Sequence, residues 1–362
     1  MRYIGNKSKL GDFIKESFLQ INPEGKTVAD IFAGTAAVSL LFKKMGYKLI
    51  TNDIMEYSHA AQVSLVKVCS KPKFKNLIDK LHPAGNQFKS TPLEKVISYL
   101  NNLKPIHGFI TNHYSPAGKR NFFSIENAGI IDSVRTELQH WLANKLVTDD
   151  EYYLCLSSLL NAADSVANTA GTYGAFLKNR GTRYEKKLVI RIPEIYSYGR
   201  CKHKCYCEDA FSLLSNGSFN NFDILYLDPP YNRRDYSKNY HVLEIIARGW
   251  FDKVPEPYGK SGLVKDIPAS PFCRKESCTG ALREIIKKSI ENCGAKHLFL
   301  SYNSEGLIPS ADIESVLLEY GRPESYHRFE RMYKRYCSDS VSEKRKYSGN
   351  KVIEYLYYVK VK

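Results

Sequence analysis

No run in this chain of 362 residues approaches the ~18 consecutive apolar residues of a membrane span. The opening residues, Met1-Arg2-Tyr3-Ile4-Gly5-Asn6-Lys7, lack the apolar core of a signal peptide, which points to an intracellular, cytoplasmic protein. No repeat recurs at a period of roughly 20–50 residues, so a solenoid or propeller is excluded, and no low-complexity tract suggests a disordered tail. A G-x-G-x-x-G fingerprint is absent, which argues against a nicotinamide dinucleotide site. Nine cysteines in such a chain read as thiols rather than as a disulfide framework. The one local cluster, Cys201-Lys202-His203-Lys204-Cys205-Tyr206-Cys207, lacks the paired spacing of a structural zinc site. Its alternation reads as a strand, which sends neighbours to opposite faces, and no metal is expected.

Acidic residues are scarce beside basic ones: 38 Asp and Glu stand against 53 Lys and Arg, a net charge of +15. Such an excess favours a polyanionic partner, because each cation placed on a phosphate releases condensed counterions. Twenty-six tyrosines offer flat faces for bases, although core packing uses the same side chain. Short apolar strands alternate with helices at both ends of the sequence. Strands are predicted at Thr27–Phe32, Lys48–Asn52, Lys204–Cys207, Asp223–Leu227, His297–Ser301, Arg331–Cys337 and Val352–Val361. Helices are predicted between them, at Ala36–Lys44, about Tyr57–Val68, Ala210–Leu214, Tyr240–Ala247, Ala281–Glu291 and Ile313–Tyr320. That rhythm implies an α/β fold with a mainly parallel sheet. The middle behaves differently, with helical stretches at Leu93–Asn102, Ile130–Leu146 and Glu151–Val166 and a basic exit over 174–205. The expectation is a sheet domain formed by 1–53 and 200–362, interrupted by a mainly helical insert at 54–199.

Chemistry concentrates at two strand ends. Asp228-Pro229-Pro230-Tyr231 follows the apolar run Phe222–Leu227, where open α/β sheets bind ligands. Consecutive prolines remove two N–H groups and leave carbonyls that only accept, and an ionised Asp228 also only accepts. Side by side, such acceptors suit the two hydrogens of an exocyclic amino group, and Tyr231 adds a face for a planar base. A rigid turn with a capping Asp would use the same residues. The second place is Asp30-Ile31-Phe32-Ala33-Gly34-Thr35-Ala36, between the first strand and helix, whose small residues let a ligand approach the backbone. Some twenty residues on, Asn52-Asp53 ends the second strand with an acid suited to ribose hydroxyls.

With these pieces in order, the chain resembles Dam-type adenine-specific DNA methyltransferases in which the target-recognition domain is inserted before the catalytic tetrapeptide. Tyr3–Leu10 is similar to the family's N-terminal cofactor motif, Phe32–Ala36 to its glycine loop, and Glu208-Asp209-Ala210-Phe211 to the segment beside the cofactor adenine. Two insert stretches, Tyr114–Phe123 and Asn168–Lys178, also look like the family. One departure is Ala36, where a second glycine is usual; its methyl group bears on cofactor binding. The resemblance implies a Rossmann-like methyltransferase sheet and S-adenosylmethionine as cofactor. Its pocket would comprise Tyr3, Lys7, Asp30, Phe32, Gly34, Asp53, Asp209, Ala210 and Asp228. It implies that Asp228, Pro229, Pro230 and Tyr231 act on a flipped-out adenine, by direct transfer to N6 without a covalent enzyme intermediate.

Basic segments complete the reading. Lys119 and Arg120, then Lys178, Arg180 and Arg183, then Arg233, Arg234 and Lys238 are candidates for contact with double-stranded DNA. The same residues could form solvated loops. A modification enzyme of a restriction–modification system, with a separately encoded nuclease as possible partner and nucleoid association through DNA, is the leading expectation. Cytosine-N4 or RNA adenine as acceptor, or a non-catalytic DNA-binding module of the same fold, stay open beside it.

Overall fold

The structure, a computed structural model, describes residues 7–81, 90–198, 202–216, 221–233, 235–265, 270–334 and 351–362. These divide into two compact units: residues within 5–62, 198–236 and 268–362 form one, and residues within 63–197 and 237–267 form the other.

The first unit is built on a seven-stranded sheet. Its strands are β1 (Thr27–Asp30), β2 (Lys48–Asn52), β3 (Lys204–Tyr206), β4 (Ile224–Leu227), β5 (His297–Asn303), β6 (His327–Lys334) and β7 (Lys351–Lys360). The spatial order is β3-β2-β1-β4-β5-β7-β6, parallel from β3 to β5, with β7 antiparallel to both of its neighbours. Every residue of β4 and β5 is buried, as expected of strands covered on both faces. Alternation assigns the faces: Leu225 and Leu227 join a core with Leu282, Ile285, Ile286 and Leu298. Tyr226 and Phe299 point the other way, to the rings of Phe42 and Phe18 on the helices Ala37–Lys44 and Gly11–Ile21. From β1 the chain steps outward to β2 and β3 on one side and then crosses back to β4 on the other. The carboxyl ends of β1 and β4 therefore flank a topological switch point, the place where such sheets open a crevice.

The second unit is helical. Pro92–Asn101 and Asp149–Val166 each begin with a capping box, Thr91 with Glu94 and Thr148 with Glu151. Between them lie Phe109–Tyr114 and Ile125–Ala143, packed around the buried Trp141, Val134, Leu138 and Leu154. The described stretch 237–265, expected in the sheet domain, packs here instead. Arg135, 1% exposed, donates to the carbonyls of Ile246, Ala247 and Arg248 at 2.9, 3.3 and 3.2 Å. A buried cation thus closes the carboxyl end of the helix His241–Arg248, a contact that short-range patterning does not encode.

Most predicted elements fall close to where periodicity puts them, and the helices Gly11–Ile21 and Phe109–Tyr114 are additions to them. The sixth strand starts at His327 rather than Arg331. The helix expected over Tyr57–Val68 is α-helical over Glu56–Gln62 and continues as a π-helical turn, Val63–Lys67. Among the described residues six cysteines are in no disulfide, but Cys69 is disulfide-bonded, against the reading of all nine as thiols. Among the described residues no helix is long and apolar enough to cross a membrane.

Candidate active site

The turn after β1 is fixed by two acids. Asp30, 1% exposed, accepts from Ser39 Oγ on the helix Ala37–Lys44 at 2.5 Å, while its Oδ1 has no hydrogen-bond partner among the described residues. Gly34 takes the left-handed conformation (φ 51°), and its N–H donates to Asp53 Oδ2 at 2.9 Å. Asp53 Oδ1 accepts from the N–H of Met55 at 3.0 Å, which leaves lone pairs on both oxygens for hydroxyl donors. Ala36 also lies at positive φ (59°) and is fully buried, so the position where the family usually has glycine does demand that conformation here. Asn52, buried beside Asp53, clamps the end of β2 to the turn after β3. Its Oδ1 accepts from the Glu208 N–H and its Nδ2 donates to the Glu208 carbonyl, each at 3.1 Å.

Asp228-Pro229-Pro230-Tyr231 emerges from the carboxyl end of β4. The Tyr231 carbonyl accepts from the Leu307 N–H at 2.9 Å, and its ring meets Tyr302 edge-on at 6.2 Å between centroids. Asp228 Oδ1 lies 3.4 Å from Lys7 Nζ, and the same ammonium donates to Glu354 Oε2 at 3.0 Å and stands 5.5 Å from the Tyr231 ring centre. Glu354 sits on β7 opposite Asn303, the last residue of β5, which brings it to the carboxyl edge of the parallel strands.

Burial governs the electrostatics. It lifts Asp30 to about 7, with Asp228 and Asp53 adding to the rise and Ser39 opposing it. It lifts Asp53 to about 6 against the hydrogen bonds from the Met55, Gly34 and Ile54 backbone. Asp228 also rises to about 6 through burial, with Lys7 pulling it down and Glu354 pushing it up. Burial opposes the Lys7 charge as well, but Asp228, Glu354 and Tyr231 outweigh it and hold its pKa above the ordinary lysine value. Asp30, whose Oδ1 has no hydrogen-bond partner among the described residues, is repelled by Asp53 and Asp228, and such a cluster can favour a cationic ligand carrying hydroxyls.

The remaining candidates are more dispersed. Asp209 is exposed and caps the helix Ala210–Ser215, accepting from the Ser212 N–H at 2.9 Å; Ala210 is buried in that first turn. Phe32 packs edge-on against Phe272 at 5.2 Å. In the helical unit Lys119, Lys178, Arg180, Arg183 and Lys238 are exposed, and Arg180 stands over the Tyr184 ring at 5.2 Å. Arg120 is engaged differently, its guanidinium donating to the carbonyls of His113 and Gly259 at 3.2 and 3.1 Å. Arg233 is exposed in the sheet unit. Tyr3 and Arg234 lie outside the described residues. Two participants escaped sequence reasoning, Glu354 and the Asn52 clamp. A charged residue facing inward on the strand Val352–Val361 was the available signal for the former.

The sequence itself can be assigned to a family. Residues 3–300 match the D12 class N6 adenine-specific DNA methyltransferase family, and the chain belongs to it. Its members are enzymes that modify adenine in DNA using a methyl donor. The chain is 33% identical to the type II methyltransferase M.NlaIII of Neisseria lactamica over 99% of its own length and 98% of that protein's. It is 34% identical to the type II methyltransferase M.FokI of Planomicrobium okeanokoites, of which it spans only 52%. Identity to M.CviAII of Paramecium bursaria Chlorella virus 1 is 32%, over 99% of this chain and 97% of that one.

Proposed function

We propose that this chain methylates N6 of an adenine flipped out of double-stranded DNA, with S-adenosylmethionine as donor, as the modification enzyme of a restriction–modification system. The observation that carries the reading is the Asp228–Tyr231 acceptor set at the end of β4, across the switch point from Gly34 and Asp53. S-adenosylmethionine, when bound, supplies an electrophilic methyl group on a sulfonium centre. The residues present fit such a group: Asp53 would take the ribose hydroxyls, Asp30 and Asp228 would favour the positive charge, and Gly34 with Phe32 would line the turn. Asp209 and Ala210 would meet the cofactor adenine, with one Asp209 oxygen already fixed by the Ser212 N–H.

Tyr231 would stack on the flipped base, its ring steadied by Tyr302. Asp228 and the Pro229 carbonyl would accept the two amino hydrogens and so direct the nitrogen lone pair toward the donor. An ionised Asp228 serves this better than a protonated one, so activity should rise with pH through its pKa of about 6. The helical unit would read the target sequence, with its Lys119, Lys178, Arg180, Arg183 and Lys238 contacting DNA together with Arg233 of the sheet unit. The relatives' names as type II methyltransferases support the restriction–modification role, with a nuclease encoded elsewhere as counterpart.

The test is to express the protein in cells whose DNA starts unmodified and map modified bases genome-wide. N6-methyladenine at one recurring short site is expected, and Asp228→Ala should reduce it at least 100-fold, a plausible loss for a group that positions the acceptor. Absence of any recurring adenine signal would overturn the reading, and a cytosine signal would replace it.

A further inference from the structure

Lys7 is held by two carboxylates, and they are not equivalent. The shorter contact, 3.0 Å, goes to Glu354; the longer, 3.4 Å, goes to Asp228 Oδ1, which has no closer polar partner among the described residues. Lys7 is 4% and Glu354 7% exposed, so neither is a solvated surface charge. A buried ammonium facing Asp228 alone would close on it and occupy the oxygen that the proposed chemistry needs. Glu354 supplies a competing anion, delivered by the strand that pairs with the end of β5. β7 lies outside the residues, 3–300, that match the family, so that match gives Glu354 no role.

We propose that Glu354 is a positioning residue: it draws the Lys7 ammonium off Asp228 far enough to keep that carboxylate available to the target amino group. The proposal rests on Asp228 as the acceptor of that group. It also reassigns Lys7 from the edge of the cofactor pocket to the control of Asp228. The charged and titratable groups bearing on Asp228 are Lys7 from the N-terminal turn, Asp30 from β1, Tyr226 from β4, Tyr231 beside it and Glu354 from β7. Of these, Lys7 favours the ionised carboxylate and Glu354 disfavours it. Removing either therefore moves Asp228's titration in opposite directions, which a merely structural role for Glu354 would not do.

The experiment uses the full chain with carbon-13-labelled aspartate. The Asp228 carboxyl resonance, identified by its loss in Asp228→Asn, is titrated in the wild type, Glu354→Gln and Lys7→Met. The midpoint should fall by at least half a pH unit in Glu354→Gln and rise by as much in Lys7→Met. In parallel, turnover on unmodified genomic DNA with tritiated S-adenosylmethionine should fall at least 10-fold in Glu354→Gln, with the acid limb of the rate profile displaced downward. Affinity for S-adenosylhomocysteine by calorimetry should stay within threefold, which shows an intact fold, and Glu354→Asp should recover part of the turnover. An unmoved or raised midpoint in Glu354→Gln, or turnover within twofold of an active wild type, would overturn the proposal. A wild type that methylates no DNA would instead overturn the function, and the titration would still decide whether Glu354 controls Asp228.

Discussion

Asp30 is a costly charge, because burial and two neighbouring carboxylates all oppose its ionisation. Its folded pKa of about 7 stands above the ordinary 3.8, so between those values the folded protein holds a proton that the unfolded chain has released. Stability contributed by that proton is complete at acid pH and is lost as pH rises through 7. Urea unfolding of the ligand-free protein should therefore show Asp30→Asn gaining about 2–3 kcal/mol on the wild type between pH 5 and pH 8, with little difference at pH 4. An asparagine can still accept from Ser39, which isolates the charge from the hydrogen bond. The same tension favours a positively charged ligand: binding one lowers the electrostatic cost of ionising Asp30, Asp53 and Asp228 together.

Among the elements, the segment after β5 governs how well Tyr231 is held. Gly306 lies so close to Tyr302 that an added Cβ would come within 2.0 Å of Tyr302 Cε1, and the Tyr302 hydroxyl accepts from the Ile308 N–H at 3.1 Å. Gly306→Ala must push the Tyr302 ring away, and that ring supports Tyr231 edge-on. Turnover on DNA should fall at least 10-fold while urea unfolding changes by about 1–3 kcal/mol, the usual cost of overpacking. Much at this scale was legible in advance. β1, β2 and β4 announce themselves as short apolar runs, and the acids and the tetrapeptide at their ends follow from strand position alone. Less visible were features made by distant contacts. The start of β6 reads as His327-Arg328-Phe329-Glu330, with no clean alternation against its flanks. Arg135 needs the carbonyls of residues 246–248 to reveal why 237–265 leaves the sheet unit. Glu354 becomes interpretable only when β7 inserts between β5 and β6 and meets Lys7.

For the molecule as a whole, the +15 charge acquires a location as well as a sign. In the helical unit residues 177–183 are all exposed and include Lys178, Arg180 and Arg183, whereas Arg120 is already engaged with carbonyls. If the first three contact phosphates, replacing all of them with alanine should reduce the slope of log K against log salt by about 2.7, roughly 0.9 for each. Fluorescence anisotropy with a duplex across a salt series measures this, and Arg120→Ala should lower stability without a comparable change in slope. The long span from Lys7 to Glu354 has one more consequence, in the time of synthesis. The ammonium and its anchoring carboxylate are 347 positions apart, so a ribosome adding about 5–20 residues per second delivers the second roughly 20–70 seconds after the first. Until the last strand has emerged and docked, the nascent sheet holds Asp228 and Lys7 without the charge that keeps them apart. On the proposed role of Glu354, a nascent chain without β7 would therefore hold Asp228 engaged by Lys7 until that strand docks.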